Sequence, residues 1–305
     1  MLVPGFSFAV SLRDRAIERA RKAVRSLPDE LYIRLMFFLI MRRVLHLRKP
    51  RTYSEKIQWL KIYGPLESYA RYVDKYEVRR YVADKIGSDY LVPLIGVWED
   101  FDQIPLDALP ERFVLKATHG SGYNFVCRHK SSLDASRLRE TVTTWLSTNF
   151  YETHRERQYR HVHPRLIAEA YLEDDSGGLR DYKLTCINGV PQMLSVITRL
   201  RGVTTENVYD RDWNLLPVMS KGCPNTREPI PRPVLLDDMY TIAATLAAGF
   251  EFVRVDLYFA DGRIYFGELT FTPANGFIAF EPRSFDVALA DMMDVPAISA
   301  NSVRT

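Results

Sequence analysis

Few of the residues that would classify this chain at a glance are present. Its three cysteines, Cys127, Cys186 and Cys223, lie far apart with no C-x-x-C spacing. That excludes a zinc ribbon, a redox dithiol and a disulfide-stapled scaffold, and it fits a reducing compartment. Long apolar runs are missing: the longest, Leu35 to Met41, is closed off by Arg34 and Arg42, well short of the roughly 20 residues of a membrane span. Net charge is also small, +3, whereas nucleic-acid-binding domains usually carry a concentrated basic excess. Neither repeats nor low-complexity segments occur. The first residues have no basic stretch ahead of an apolar one and no small-residue cleavage site, so no signal peptide is expected and the protein is read as cytoplasmic.

What is present is a chain of 305 residues, 47% hydrophobic and 26% charged, enough for two packed domains or one large one. The charge is unevenly spread. Residues 1–50 hold 11 Lys/Arg and 4 Asp/Glu, so the other 255 residues sum to −4. This first segment reads as two helices separated by Leu27-Pro28-Asp29. In the earlier one, Leu12, Ala16, Ala20, Ala23, Val24 and Leu27 recur at helical spacing while arginines fill the other faces. Such a helix either packs on the body as a solvated charged element or touches an anionic membrane surface peripherally. Its apolar side is mostly alanine, which favours the first reading.

Helices are predicted for Tyr53 to Tyr63, with Ser54 as N-cap and Gly64-Pro65 as the stop, for Val73 to Ile86, for Asp134 to Phe150 and for Val234 to Ala248. Strand signals run through Phe113–Leu115, Tyr123–Arg128, Arg165–Leu172 and Asp181–Asn188. The order, helical and then mixed twice over, points to an α+β protein.

Two stretches carry chemistry. In Phe113-Val114-Leu115-Lys116-Ala117-Thr118-His119-Gly120-Ser121-Gly122, a strand delivers a lysine and then a glycine-rich turn. A lysine point charge and approachable backbone N–H groups suit polyphosphate, although the lysine precedes the glycines and no helix follows, so this is not a Walker A loop; a plain hairpin turn is the competing reading. The second is a hairpin of Phe252 to Phe259 and Ile264 to Phe271. Asp256 and Glu268 each interrupt an apolar strand, and a buried carboxylate is expensive unless paired or bound to a cation. A three-residue loop, Asp261-Gly262-Arg263, is expected, because it sets 256 opposite 268. Magnesium, which typically takes one or two carboxylates plus substrate phosphates, is one companion for them; Arg254 on the same face, forming a buried ion network, is the other. His161-x-His163 lacks suitably spaced partners for a metal or RNA site. Arg199 and Arg201 follow a strand and could hold a substrate carboxylate bidentately.

Taken together, these residues resemble the ATP-grasp superfamily and, more closely, its TupA-like branch, named for teichuronopeptide biosynthesis. The likeness runs over about residues 50–290: Arg51 to Lys61 is similar to the branch's TFNEKLQWLK, Asp74-Lys75 with Val78-Arg79 to DKYxVR, Phe113 to Gly122 to FVLKxxHGSG, Asp181-Tyr182-Lys183 to DYK, and Arg254 to Pro273 to its most distinctive stretch.

The resemblance implies an α+β, ATP-grasp fold: two lobes around ATP behind a helical N-terminal segment, divided as 1–50, a pre-ATP domain 51–110, a small lobe 111–165 and a large lobe 166–305. It implies ATP and two magnesium ions as cofactors. Lys75 and Lys116 would contact phosphates, with His119, Gly120, Ser121 and Gly122 forming the covering loop. Glu169, Ala170, Tyr171 and Leu172 would be the adenine-reading hinge, Asp181 a ribose ligand, and Lys183 a further phosphate contact. Asp256 and Glu268 match the metal ligands and Arg254 the arginine at the transferred phosphate, with Thr270 or Asn275 where other ATP-grasp enzymes place a third ligand. The activity implied is carboxylate–amine ligation through an acylphosphate, on small-molecule or glycan substrates of the cell envelope. A kinase acting on a hydroxyl, and a non-catalytic ATP-binding module docked on membrane machinery, are the competing expectations.

Overall fold

A computed structural model describes residues 12–200, 202–220 and 222–296, with the side chains of 12–14 excepted. The elements in chain order are α1 (Leu12–Ala23), α2 (Asp29–Met41), α3 (Tyr53–Tyr63), α4 (Ala70–Val73), α5 (Val78–Ile86), β1 (Leu94–Trp98), β2 (Phe113–Ala117), β3 (Asn124–Cys127), α6 (Ala135–Ser147), α7 (Phe150–His154), β4 (Leu166–Ala170), β5 (Asp181–Ile187), β6 (Val190–Leu200), β7 (Val203–Tyr209), β8 (Met219–Ser220), α8 (Leu236–Ala247), β9 (Phe252–Ala260), β10 (Arg263–Thr270), β11 (Phe280–Glu281) and α9 (Arg283–Asp291). The α+β class is as expected.

Two antiparallel sheets frame the molecule. The smaller has the order β1-β4-β2-β3 and the larger β10-β9-β5-β6-β7. Strands β1 and β4 thus join β2 and β3 from outside the expected small lobe of 111–165, so that sheet draws on residues either side of both boundaries. Leu115, Ala117, Leu138, Val142 and Trp145 form the apolar contact between the small sheet and α6. One face of the large sheet, carrying Leu184, Leu194, Val196, Val253 and Val255, is buried with Met239, Ala243 and Leu246 of α8. A third cluster ties Ile33, Met36 and Phe37 of α2 and Tyr53, Ile57 and Leu60 of α3 to Met193, Val208 and Phe252 at one end of that sheet.

Two helix expectations need correction. Helix α3 is capped by Thr52, whose hydroxyl accepts from Glu55 N while the Glu55 carboxylate accepts from Thr52 N, a reciprocal capping box. Ser54 lies inside the first turn and donates to Ile278 O. The helix expected over Val73 to Ile86 is broken at Asp74, which is extended; its carboxylate accepts from Tyr76 N and Glu77 N and from Arg165. Two local acceptor bonds and the Arg165 counter-charge at one carboxylate outcompete a continuous helix, and the break frees Lys75 to turn towards the small sheet.

The hairpin of β9 and β10 reaches the expected pairing by a different route. Arg263 pairs with Ala260, so the loop is the two-residue Asp261-Gly262, both at positive φ, as a type I′ turn requires. That loop alone would set the two carboxylates on opposite faces. A bulge between Phe266 and Glu268 restores the alternation and puts Glu268 opposite Asp256. The bulge residue has to be glycine, because a Cβ on Gly267 would lie 2.9 Å from Asp256 O and 3.2 Å from the Tyr258 ring. Gly267→Ala is therefore expected to cost about 1–3 kcal/mol, read by chemical denaturation.

Helix α7 places His154 flat against Phe150, ring centroids 4.1 Å apart. Burial, aided by Arg21, pushes the imidazole down to about 4. A depressed histidine stabilises the fold above its ordinary titration range and loses that contribution as pH falls towards 4. Stability is expected to drop by up to roughly 3 kcal/mol across that window, and His154→Phe, which keeps the stack, should flatten the acid limb of a urea-midpoint profile.

Candidate active site

The cleft between the two sheets is built from one face of each. On the large sheet the cross-strand row Ser195, Lys183, Asp256, Glu268 runs over β6, β5, β9 and β10, and the row beside it holds Thr185, Arg254 and Thr270. Period-two alternation brings these polar residues to one face while Leu184, Val253 and Val255 face α8.

At the centre Arg254 grips Asp256 with two bonds, Nε to Oδ1 at 2.6 Å and Nη2 to Oδ2 at 2.7 Å. The same Nη2 reaches Thr270 Oγ1 at 3.1 Å and Glu268 Oε1 at 3.4 Å, and Thr270 Oγ1 donates to Glu268 Oε1 at 2.8 Å. Lys183 donates to Asp256 Oδ2 and lies 3.7 Å from Asp181, which Arg199 binds at 2.5 Å. Three cations thus balance three carboxylates, and the ion network that the sequence allowed is present. Burial pushes the Glu268 carboxyl up, but Lys183, Arg254 and Lys75 outweigh it and hold it below the usual carboxylate range. Asp181 is held low in the same way, Lys183 and Arg199 outweighing its burial. Burial disfavours the Arg254 charge, yet Asp256 and Glu268 more than restore it and the guanidinium stays ionised.

Facing this row, Lys116 of β2 binds Glu169 of β4 at 2.6 Å, and Arg79 of α5 binds the same carboxylate at 3.0 Å. Lys75, next to the Asp74 break, donates to Gly120 O in the glycine-rich turn; burial lowers its pKa, with Glu268 acting in the opposite sense. A narrow cavity of about 60 Å³ is lined by Lys75, Arg79, Lys116, Asn124 and Glu169 from one side and by Tyr258, Phe266, Gly267 and Glu268 from the other. Within its lining Lys116 and Arg79 are the counter-charges of Glu169.

The structure thus brings together Lys75, Lys116, Glu169 and Glu268 around one cavity, with Arg254, Asp256, Lys183, Asp181 and Thr270 contiguous with it. Gly120 has to be glycine, since a Cβ there would meet the Tyr123 and Phe150 rings at 2.7 and 2.8 Å; Gly122 sits at positive φ, and Ser121 beside it is exposed. His119, at the start of this turn, points inward. Its imidazole is buried, Nε2 lies 2.8 Å from Trp145 O, and burial lowers its pKa. Bonded to a carbonyl, Nε2 carries the proton, and the ring anchors the turn to α6. After Glu169, Ala170 N donates to Pro93 O, the Tyr171 ring lies under Arg112 at 4.9 Å, and Leu172 packs with Tyr258 and Tyr265.

The two residues expected as a third metal ligand have different neighbours. The Asn275 side chain accepts from buried Lys61, whereas Thr270 touches both Glu268 and Arg254. Arg199 already holds Asp181, and Arg201 lies outside the described residues. His161 and His163 face separate carboxylates, Glu67 at 2.9 Å and Glu99 at 3.4 Å, and among the described residues no three His, Cys, Asp or Glu side chains gather as a metal cluster. Two carboxylates with a hydroxyl still suit magnesium, which completes its shell from phosphates and water. Sequence reasoning missed Arg79 and Asn124 as lining residues. Arg79 was visible within its motif; its contact with Glu169 was not.

The family described as TupA-like ATPgrasp matches residues 55–294. Among solved structures, D-alanine–D-alanine ligase from Bacillus anthracis aligns at 17% identity and TM-score 0.42, over 80% of this chain and 69% of that one. The ATP-grasp ligase PsnB complexed with minimal precursor aligns at 13% identity and TM-score 0.39, over 86% and 68%. N5-carboxyaminoimidazole ribonucleotide synthetase from Thermus thermophilus aligns at 10% identity and TM-score 0.39, over 72% and 51%. No curated protein matches significantly.

Proposed function

The chain belongs to the TupA-like ATP-grasp family, and on that premise we propose that it is an ATP-dependent ligase joining a carboxylate to an amine in polysaccharide or cell-envelope modification. The observation that carries the reading is the lining of one cavity by Lys75 and Lys116 on one side and Glu268 on the other.

In this reading Lys75 and Lys116 hold the nucleotide phosphates as point charges and the turn through Gly120, Ser121 and Gly122 offers its backbone. The hinge from Glu169 to Leu172 takes the adenine and Asp181 the ribose. Asp256, Glu268 and Thr270 are the hard-oxygen set that would hold magnesium, which when bound neutralises phosphate charge. Arg254, kept ionised by Asp256, stands where charge accumulates while a carboxylate oxygen of the acid attacks the γ-phosphorus and ADP leaves. The amine nitrogen then attacks the acyl carbon and loses its proton, and inorganic phosphate departs with the C–O bond. No protein nucleophile is needed; positioning and charge neutralisation suffice. The bonds from Lys116 to Glu169 and from Lys183 to Asp256 satisfy these side chains before the nucleotide enters, and binding exchanges them for phosphate contacts.

Magnesium-ATP at about a hundredfold over Kd stabilises a protein by roughly 2.7 kcal/mol. We expect a magnesium-dependent rise in unfolding temperature for the native chain and its loss in Lys116→Ala. No rise with a folded native chain would overturn the reading. Where it occurs, pairs of acids and amines screened for phosphate release test the ligation, since ADP without phosphate would mark a kinase instead.

A further inference from the structure

We infer that the N-terminal module is a docking surface for an anionic lipid bilayer, with α2 rather than α1 supplying the apolar contact. The inference does not depend on the ligase reading. Helix α2 buries Tyr32, Ile33, Met36 and Phe37 against the body. Its opposite side leaves Leu31 55%, Leu35 36% and Phe38 50% exposed, with Val44 just beyond at 62%. Leu31, Leu35 and Phe38 are spaced i, i+4, i+7, so they form one stripe along the helix. These are the bulky anchors that α1, with its alanine-rich apolar side, lacks.

Charge decides what covers the stripe. The three described carboxylates of the module are already neutralised: Glu18 by Arg21 at 3.2 Å, Glu30 by Arg34 at 2.7 Å, and Asp29 by Arg157 at 3.3 Å and Arg155 at 3.7 Å. Arg42, Arg48 and Lys49 are exposed beside or just beyond the stripe, and none of them makes an ion pair among the described residues. On α1, Arg15, Arg19 and Lys22 are exposed too, as is Arg25 just after it. An apolar stripe bordered by cations of a single sign complements a surface with anionic headgroups over acyl chains. Nucleic acid would use the cations and leave the stripe uncovered, and a second copy would set these cations against their like.

The test is co-sedimentation of the full chain with phosphatidylcholine vesicles, with and without phosphatidylglycerol. We expect binding only when phosphatidylglycerol is present. The variant Leu31→Ser/Leu35→Ser/Phe38→Ser should weaken it at least about tenfold, and so should Arg42→Glu/Arg48→Glu/Lys49→Glu. All six positions are exposed, so unfolding temperatures should stay at the native value, and magnesium-ATP shifts should be unaltered. Absence of binding to the anionic vesicles would overturn the proposal. So would binding that survives the serine variant, which would assign the contact to cations alone, or a native dimer in sedimentation velocity that the serine variant dissociates.

Discussion

Glu268→Gln is expected to leave the fold intact and to remove about a hundredfold to a thousandfold of phosphoryl-transfer rate, the range seen when one preorganised charge-stabilising group is lost. The side chain is 38% exposed at the cleft, and a glutamine can still accept from the Thr270 hydroxyl, so the substitution takes away charge and little else. Magnesium-dependent nucleotide binding, followed by calorimetry with and without the metal, should collapse towards its metal-free value. Asp256→Asn should behave differently. Asp256 is buried beneath Arg254 and Lys183, and neutralising it takes the nearest counter-charge from two cations, a loss of about 3–5 kcal/mol in stability. A Glu268→Gln protein that keeps its magnesium dependence would remove Glu268 from the metal set.

Lys61→Met should destabilise the protein by about 3–5 kcal/mol, the cost of removing one partner from a buried charged cluster. Lys61 is 1% exposed; its ammonium donates to His154 O at 3.0 Å and to the Asn275 amide oxygen. Burial brings its pKa down to about 8, against the pull of nearby Glu156. Glu156 accepts from Thr272, which also accepts from Gln158 at 2.7 Å, and Gln58 donates to the carbonyls of Asn275 and Gly276. Together these side chains hold Ala274 and Asn275 at positive φ, a conformation that costs non-glycine residues energy, directly after the strand that carries Glu268 and Thr270. The double variant Lys61→Met/Glu156→Gln removes both charges and should recover part of the loss. Urea denaturation of the three proteins checks this; a single variant within about 1 kcal/mol of native would make the cluster incidental.

The sequence by itself determined the α+β class, the extent of α3, α6 and α8 to within a few residues, and which polar side chains interrupt apolar strands. Those features are local: alternation, capping residues and helix stops act within a few positions of each other. It also assembled the ordered motifs, from Lys75 through Glu268, that mark the family. Only the tertiary structure decided how Asp256 comes to face Glu268. Alternation assigns a residue to a face but is blind to an extra residue that resets the pairing, and the bulge at Gly267 requires glycine because Asp256 O and the Tyr258 ring on the neighbouring strand leave no room for a Cβ. The same holds for the break at Asp74, which needs Arg165 from 91 residues away, and for His119, drawn inward by a carbonyl on α6. The burial of Lys61 likewise depends on the loop around Asn275 that its ammonium meets. Each of these depends on a partner distant in the chain, and the hydrogen bond or counter-charge that partner supplies has no trace in the residues on either side.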